Sequence, residues 1–152
     1  MTVKKDYDPR MHSAEHILNQ TMVRLFQCGR SFNAHIEKKK SKCDYRLERA
    51  PIEKEIADIE RRVNDVIDMN LPVGEQFVPR KEAEVRYNLS KLPDEAGDPL
   101  RIVTIGDYDA CPCIGPHVAS TGEIGPFRIV STNHADGVFR VRFKLETPQE
   151  NS

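Results

Sequence analysis

HSAEHILNQTMVRLFQ, residues 12–27, is an apolar run punctuated by two histidines. Ala14, Ile17, Leu18, Met22, Leu25 and Phe26 recur at steps of three and four, which is one face of a helix, and the Cys-Gly pair at 28 and 29 supplies a stop. Four residues apart on such a helix, His12 and His16 stack their imidazoles on one side. A metal explains the pair; so does accidental placement in a core or on a solvated face. The same stretch also reads H-x-x-E-H, the inverzincin protease signature, in which Glu15 is the general base. That class needs a further acidic ligand well downstream and a longer chain to build its chamber, so a metalloprotease ranks behind a metal site of another kind.

Outward from this helix, SFNAHIEKKKSKCDYRLE at 31–48 has the pattern of a hairpin with an exposed basic turn at 38–42. Pro51 opens a second helix in which Ile52, Ile56, Ile59, Val63, Val66 and Ile67 recur at three and four, while charged residues fill the other face. The segment 71–74 ends it and leads to a strand at 75–78 and a short helix at 80–87, followed by a loop at 88–99. Three strand-like runs close the chain, at 100–105, 127–131 and 138–145, with a turn at 133–137 between the last two. In the last run Phe139, Val141, Phe143 and Leu145 alternate with Arg140, Arg142 and Lys144. Two main helices and about six short strands without βαβ alternation predict an α+β fold, an antiparallel sheet packed with those helices, in one domain over 1–152.

With 38% apolar and 31% charged residues in 152, the chain can bury one good core, which excludes a disordered chain. A formal net charge of −1 demands no nucleic-acid partner globally, although a local basic patch can still bind one. No apolar stretch follows Lys4 and Lys5, and no run approaches the roughly 18 apolar residues of a membrane span, so a cytoplasmic protein without membrane association is expected. Its four cysteines are then expected as thiols or metal ligands, not disulfides.

DACPCIGPHV at 109–118 places Cys113 and His117 with three residues between them, on what reads as a Gly- and Pro-rich loop. Thiolate and imidazole are the ligands zinc selects. Together with His12 and His16 they make a four-ligand set of zinc type. Cys111 competes as a ligand; Cys28 and Cys43 read as small buried apolar groups, His134 as a turn residue, and His35 as an ordinary hairpin or pocket residue. Glu15 reads as a base, an outer-sphere group or a solvated charge, the last two being favoured.

HSAEHIL, NLPV at 70–73 and RIVTIGDYDACPCIGPHVASTGEIGPFRIV at 101–130 together resemble the second additional domain of threonyl- and alanyl-tRNA synthetases and the free-standing AlaX-type editing proteins. The resemblance implies an α+β fold and hydrolysis of a wrongly charged tRNA, a seryl group on an alanine or threonine tRNA, by a free-standing enzyme acting in trans without ATP. It also implies His12, His16, Cys113 and His117 as the motif positions and the acceptor end of a mischarged tRNA as partner. Two departures bear on specificity. C-I-G-P-H stands where alanyl editing proteins carry C-G-G-T-H, and G-P-H-V is similar to the threonyl branch. The glycine-rich segment of alanyl editing proteins is missing after the first helix.

Zinc bound there would acidify a water to a pKa of roughly 7 and polarise the ester carbonyl, with Glu15 as an optional base. Four protein ligands, however, are the closed arrangement of a structural zinc. A water held by the same side chains without metal, and a non-catalytic aminoacyl-tRNA or ligand-binding module with a structural zinc, are therefore the competing expectations. Lys38, Lys39, Lys40 and Lys42, together with Arg140, Arg142 and Lys144, are the cations expected to meet phosphates, against the alternative of plain solvated charge. A homodimer is a further expected partner arrangement.

Overall fold

The computed structural model describes residues 8–87, 89, 92 and 97–147. Helix α1 spans Pro9–Phe26 and so begins before the apolar spacing does. The cause is local: the Asp8 carboxylate accepts the Arg10 backbone N–H at 2.9 Å, and Pro9 has a backbone angle suited to the first turn. Gln27 ends the helix in the left-handed region, its N–H returning to the Val23 carbonyl.

The expected hairpin forms from β1 (Asn33–His35) and β2 (Ser41–Arg46). Lys38, Lys39 and Lys40 stand exposed at its turn, but Lys42 belongs to β2, opposite His35 on one side and Arg142 on the other. Helix α2 (Glu53–Asp68) buries Ile59, Val63, Val66 and Ile67, and the Glu55 carboxylate accepts the Ile52 backbone N–H at 3.0 Å at its start. Strand β3 (Val73–Val78) and helix α3 (Arg80–Arg86) follow. The loop expected at 88–99 lies partly outside the described residues. The chain continues with β4 (Leu100–Ile105), β5 (Asp109–Pro112), β6 (Phe127–Ala135) and β7 (Val138–Leu145).

All strand pairings are antiparallel, and the described strands divide into a four-stranded sheet, β1-β2-β7-β6, and a three-stranded one, β3-β4-β5. The α+β class with antiparallel pairing and two main helices is the expected one. The extra strand is β5: Asp-Ala-Cys-Pro has no alternation to announce it, yet Cys111 sits opposite Val103 and Asp109 opposite Ile105. Its pairing makes the first half of 109–118 a strand and leaves only the second half as loop. His134 is likewise a strand residue, because β6 runs on to Ala135 and the turn shrinks to Asp136 and Gly137, both at positive φ as a two-residue hairpin turn requires. Cys28, expected to be buried, is only half-buried, whereas Cys43 is fully so.

The main core joins α1 (Met11, Ala14, Ile17, Leu18, Met22) and α2 to Tyr45, Phe139, Val141 and Phe143 of the larger sheet. A smaller cluster, Val78, Ala83, Leu100 and Ile102, seals α3 on the other sheet. Since directly opposed residues share a face, Lys42 with Arg142 and Arg128 with Lys144 lie on the side of the larger sheet away from its core. Two of the sequence motifs clasp each other. The buried Thr121 hydroxyl accepts the Leu71 N–H at 2.8 Å and lies 2.9 Å from the Val66 carbonyl, while Asn70 Oδ1 accepts the Gly122 N–H at 2.9 Å.

Candidate metal centre and adjoining cavity

The first two turns of α1 present His12 and His16 toward the loop that leaves β5, where Cys113 and His117 sit. One potential ligand atom from each of the four lies within 4.8 Å of the others. Cys113 is the hub: its Sγ is 3.4 Å from His12 Nε2 and 3.6 Å from His117 Nε2. For a tetrahedral zinc with ordinary Zn–S and Zn–N bonds, the sulfur-to-nitrogen edge is about 3.6 Å. The donor spacing therefore fits such an ion, and three imidazoles with one thiolate are a zinc-type donor set.

The imidazoles are oriented from behind. His12 Nδ1 lies 3.1 Å from the Pro116 carbonyl, which can only accept, so Nδ1 carries a proton and Nε2 is the nitrogen turned to Cys113. His117 Nδ1 lies 2.9 Å from Ser13 Oγ, which also accepts the Val118 N–H at 3.2 Å. His16 Nδ1 faces the Asp109 carboxylate at 3.7 Å, beyond hydrogen-bond length, and is the one buried side-chain nitrogen or oxygen among the described residues without a hydrogen-bond partner. A carboxylate behind one imidazole nitrogen, with the other directed at the ligand cluster, is the outer-sphere arrangement of metal sites. Asp109 is itself clamped, accepting from Gln20 at 2.8 Å and from the two Arg30 nitrogens at 2.7 and 3.2 Å.

Packing enforces the geometry. A Cβ at Gly115 would overlap the His12 ring. Arg101 holds the loop by donating to the carbonyls of Cys113 and Gly115 at 3.1 and 2.8 Å. His12 and His117 stack with ring centroids 4.3 Å apart, and His16 meets His117 edge-on at 4.5 Å.

The charges of Cys113 and His117 suit ligation, whereas His16 has to give up a proton to ligate. Burial pushes the Cys113 thiol up, but its contacts with His117, His12 and His16 outweigh that and bring it down to about 3. Burial, aided by the neighbouring His16 and His12, lowers His117 to about 4, which keeps it neutral. Burial also opposes charge on His16, yet Asp109 and Cys113 raise it to about 9. Cys111 contrasts with Cys113: burial raises its thiol to about 11, and it does not join the cluster.

Beside the cluster opens a cavity of about 1000 Å³, lined among others by Glu15, Asn19, Arg30, Cys111, Cys113 and Ile114. Glu15 is not the solvated charge that was one of its expected roles. Its side chain is 12% exposed, and Oε1 lies 3.8 Å from His12 Nε2. His35 is an exposed hairpin residue paired with Glu37, as expected. The exposed Lys38, Lys39 and Lys40 stand at the tip of the hairpin whose Ala34 and Ile36 line this cavity. Sequence reasoning missed Ser13, Arg30, Arg101 and Asp109; Ser13, Arg101 and Asp109 lie inside quoted motifs, whereas Arg30 had no signal in its position.

Residues 100–142 match the family described as Threonyl and Alanyl tRNA synthetase second additional domain. Curated relatives include the alanine–tRNA ligase of Methanopyrus kandleri, 34% identical over 142 residues, which are 88% of this chain and 15% of that protein. The alanine–tRNA ligase of Pyrobaculum aerophilum is 34% identical over 146 residues, 88% of this chain and 16% of the ligase. That of Pseudoalteromonas translucida is 32% identical over 133 residues, 86% of this chain and 15% of the ligase. The chain thus spans about 15% of the length of the relatives it matches. The residues that match the second additional domain family of threonyl- and alanyl-tRNA synthetases hold β4, β5, Cys113 and His117, in a chain similar to alanine–tRNA ligases along most of its length.

Proposed function

We propose that this chain is a free-standing, metal-dependent hydrolase that removes a wrong amino acid from tRNA, with a seryl ester on alanine or threonine tRNA as substrate. The observation that carries the reading is the convergence of His12, His16, Cys113 and His117 beside a cavity, lined by the first three, that is large enough for an aminoacyl-adenosine end. The family match and the similarity to alanine–tRNA ligases support the substrate class.

In the mechanism, His12, His16, Cys113 and His117 are the residues that would hold zinc. When bound, the ion supplies Lewis-acid polarisation of the ester carbonyl and acidifies water. Pro116 and Ser13 fix the ring orientations of His12 and His117, while Asp109 stands behind His16. The cavity walls position the aminoacyl group, which an already activated ester makes sufficient for a large part of the rate. Water adds to the carbonyl carbon, the bond to the ribose oxygen breaks, and that oxygen leaves with a proton, giving free amino acid and intact tRNA. Lys38, Lys39, Lys40 and Lys42 contact the phosphates of the acceptor end, joined by Arg142 and Lys144 on the outer face of the larger sheet. Arg140 is committed elsewhere: it donates to Asp44 at 2.7 and 3.0 Å.

One observation favours a second reading. Four donors complete a tetrahedral shell, so zinc that only pins α1 to the 113–117 loop would make a non-catalytic module that retains aminoacyl-tRNA. Zinc per chain and timed deacylation of seryl-tRNA, charged on alanine and threonine tRNAs, separate the two. The hydrolase reading expects one zinc per chain, loss of both zinc and activity in His16→Ala and Cys113→Ala, and most activity kept in Cys111→Ser. Stoichiometric retention of seryl-tRNA without deacylation by wild type would establish the module instead.

A further inference from the structure

The cavity beside the candidate centre has one carboxylate in its described lining, Glu15, and one guanidinium, Arg30. Arg30 is neutralised by Asp109, which it meets through two nitrogens. Asp109 cannot serve a ligand, since its side chain is 0% exposed and its oxygens are occupied by Arg30 and Gln20. Glu15 is in the opposite condition. It is largely withdrawn from water, and among the described residues no lysine or arginine lies within ion-pair distance of it. A carboxylate so placed bears a desolvation cost that a cationic ligand group would offset.

We propose that Glu15 is the anchor for the α-ammonium group of the bound aminoacyl ester, an assignment that rests on reading this site as one for aminoacyl esters. Such an ester carries one positive group close to its reacting carbon, the α-nitrogen, about 2.5 Å from the carbonyl carbon across two bonds. A residue that grips this nitrogen must therefore stand within a few ångströms of the side chains that surround the carbonyl. Glu15 does: its Oε1 is 3.8 Å from His12 Nε2, one of the donors facing Cys113. Helical geometry fixes this relation, for Glu15 lies one turn beyond His12 and next to His16 on α1. The pairing gives the site a criterion independent of the amino-acid side chain: it takes free α-amino esters and refuses those whose nitrogen is acylated or lacking. Peptidyl-tRNA and formylated initiator tRNA, both acylated at that nitrogen, would then escape hydrolysis.

The test uses two hydrolysis-resistant probes, 3′-deoxy-3′-(L-serylamino)adenosine and its N-acetyl form, in calorimetric titration of the zinc-loaded chain. Wild type is expected to bind the free amine tighter by on the order of tenfold to a hundredfold, the worth of a charge-assisted hydrogen bond. Glu15→Gln is expected to abolish the difference by weakening the free amine alone, and Glu15→Asp to keep part of it. Rates with seryl-tRNA and N-acetylseryl-tRNA should show the same pattern. Equal affinity of wild type for the two probes would overturn the assignment without needing any variant to fold, and so would absence of binding at millimolar probe. A Glu15→Gln variant that slows both esters equally and keeps the probe preference would make Glu15 a base and overturn it too. If wild type prefers the free amine yet hydrolyses neither ester, the hydrolase reading fails and the ammonium anchor stands.

Discussion

Gly115 shows how little room the centre leaves, because any side chain there would occupy the space of the His12 ring. Gly115→Ala is expected to displace His12 and cut zinc affinity by about tenfold or more, measured by competition with a chelating dye. Asp109→Asn is a different kind of lesion, for it removes the charge behind His16 and leaves Arg30 without its partner. The expected loss is about 3 kcal/mol in urea unfolding, since breaking a buried pair strands the other charge. Asp44 makes a prediction away from the centre. Its hydrogen bonds with Arg140 hold its carboxyl below the usual range, so the pair stabilises the fold above the unfolded carboxyl value, near ~3.9, and loses that stabilisation as pH falls through the lower folded value. The stability gap between wild type and Asp44→Asn should be full at neutral pH and close as the solution is acidified. At this scale the sequence was legible where a residue type has one chemical use. His12, His16, Cys113 and His117 announced themselves by donor type and spacing. Arg30 and Arg101 did not, because an arginine's partner is set by the tertiary fold and nothing in its neighbours points to it.

At the level of elements, α1 and α2 were legible because a single buried face leaves a period of three to four in the apolar residues. Strand β5 was not, since a short strand running into the loop that carries Cys113 and His117 has its composition set by that loop: proline and cysteine in place of alternation. The helix-end caps also hid, as the start of α1 depends on Asp8 and Pro9, outside the apolar pattern. The NLPV and STGEIG motifs carry no chemistry in this arrangement; they lock the end of α2 to the segment after His117 through Thr121. Thr121→Val keeps the shape but strands the half-buried Leu71 N–H. It should cost about 1–3 kcal/mol in chemical denaturation while leaving zinc per chain at the wild-type value.

For the molecule as a whole, the two sheets are not equivalent partners of α1. The larger supplies most of the core shared with the helix, while the smaller adds Ile105 to it and meets the same helix through Asp109 and, beyond β5, Cys113 and His117. The fold class was legible because the absence of βαβ alternation forbids a parallel sheet; the division into two sheets was not, because strand order depends on contacts between distant segments. One measurement tests the account most directly: the rate at which the chain deacylates seryl-tRNA as purified, after zinc is stripped with a chelator, and after zinc is returned. Activity is expected to disappear on stripping and to come back with one equivalent of zinc, with His16→Ala recovering nothing. A stripped protein that keeps its wild-type rate, with its zinc content shown to be zero, would contradict it.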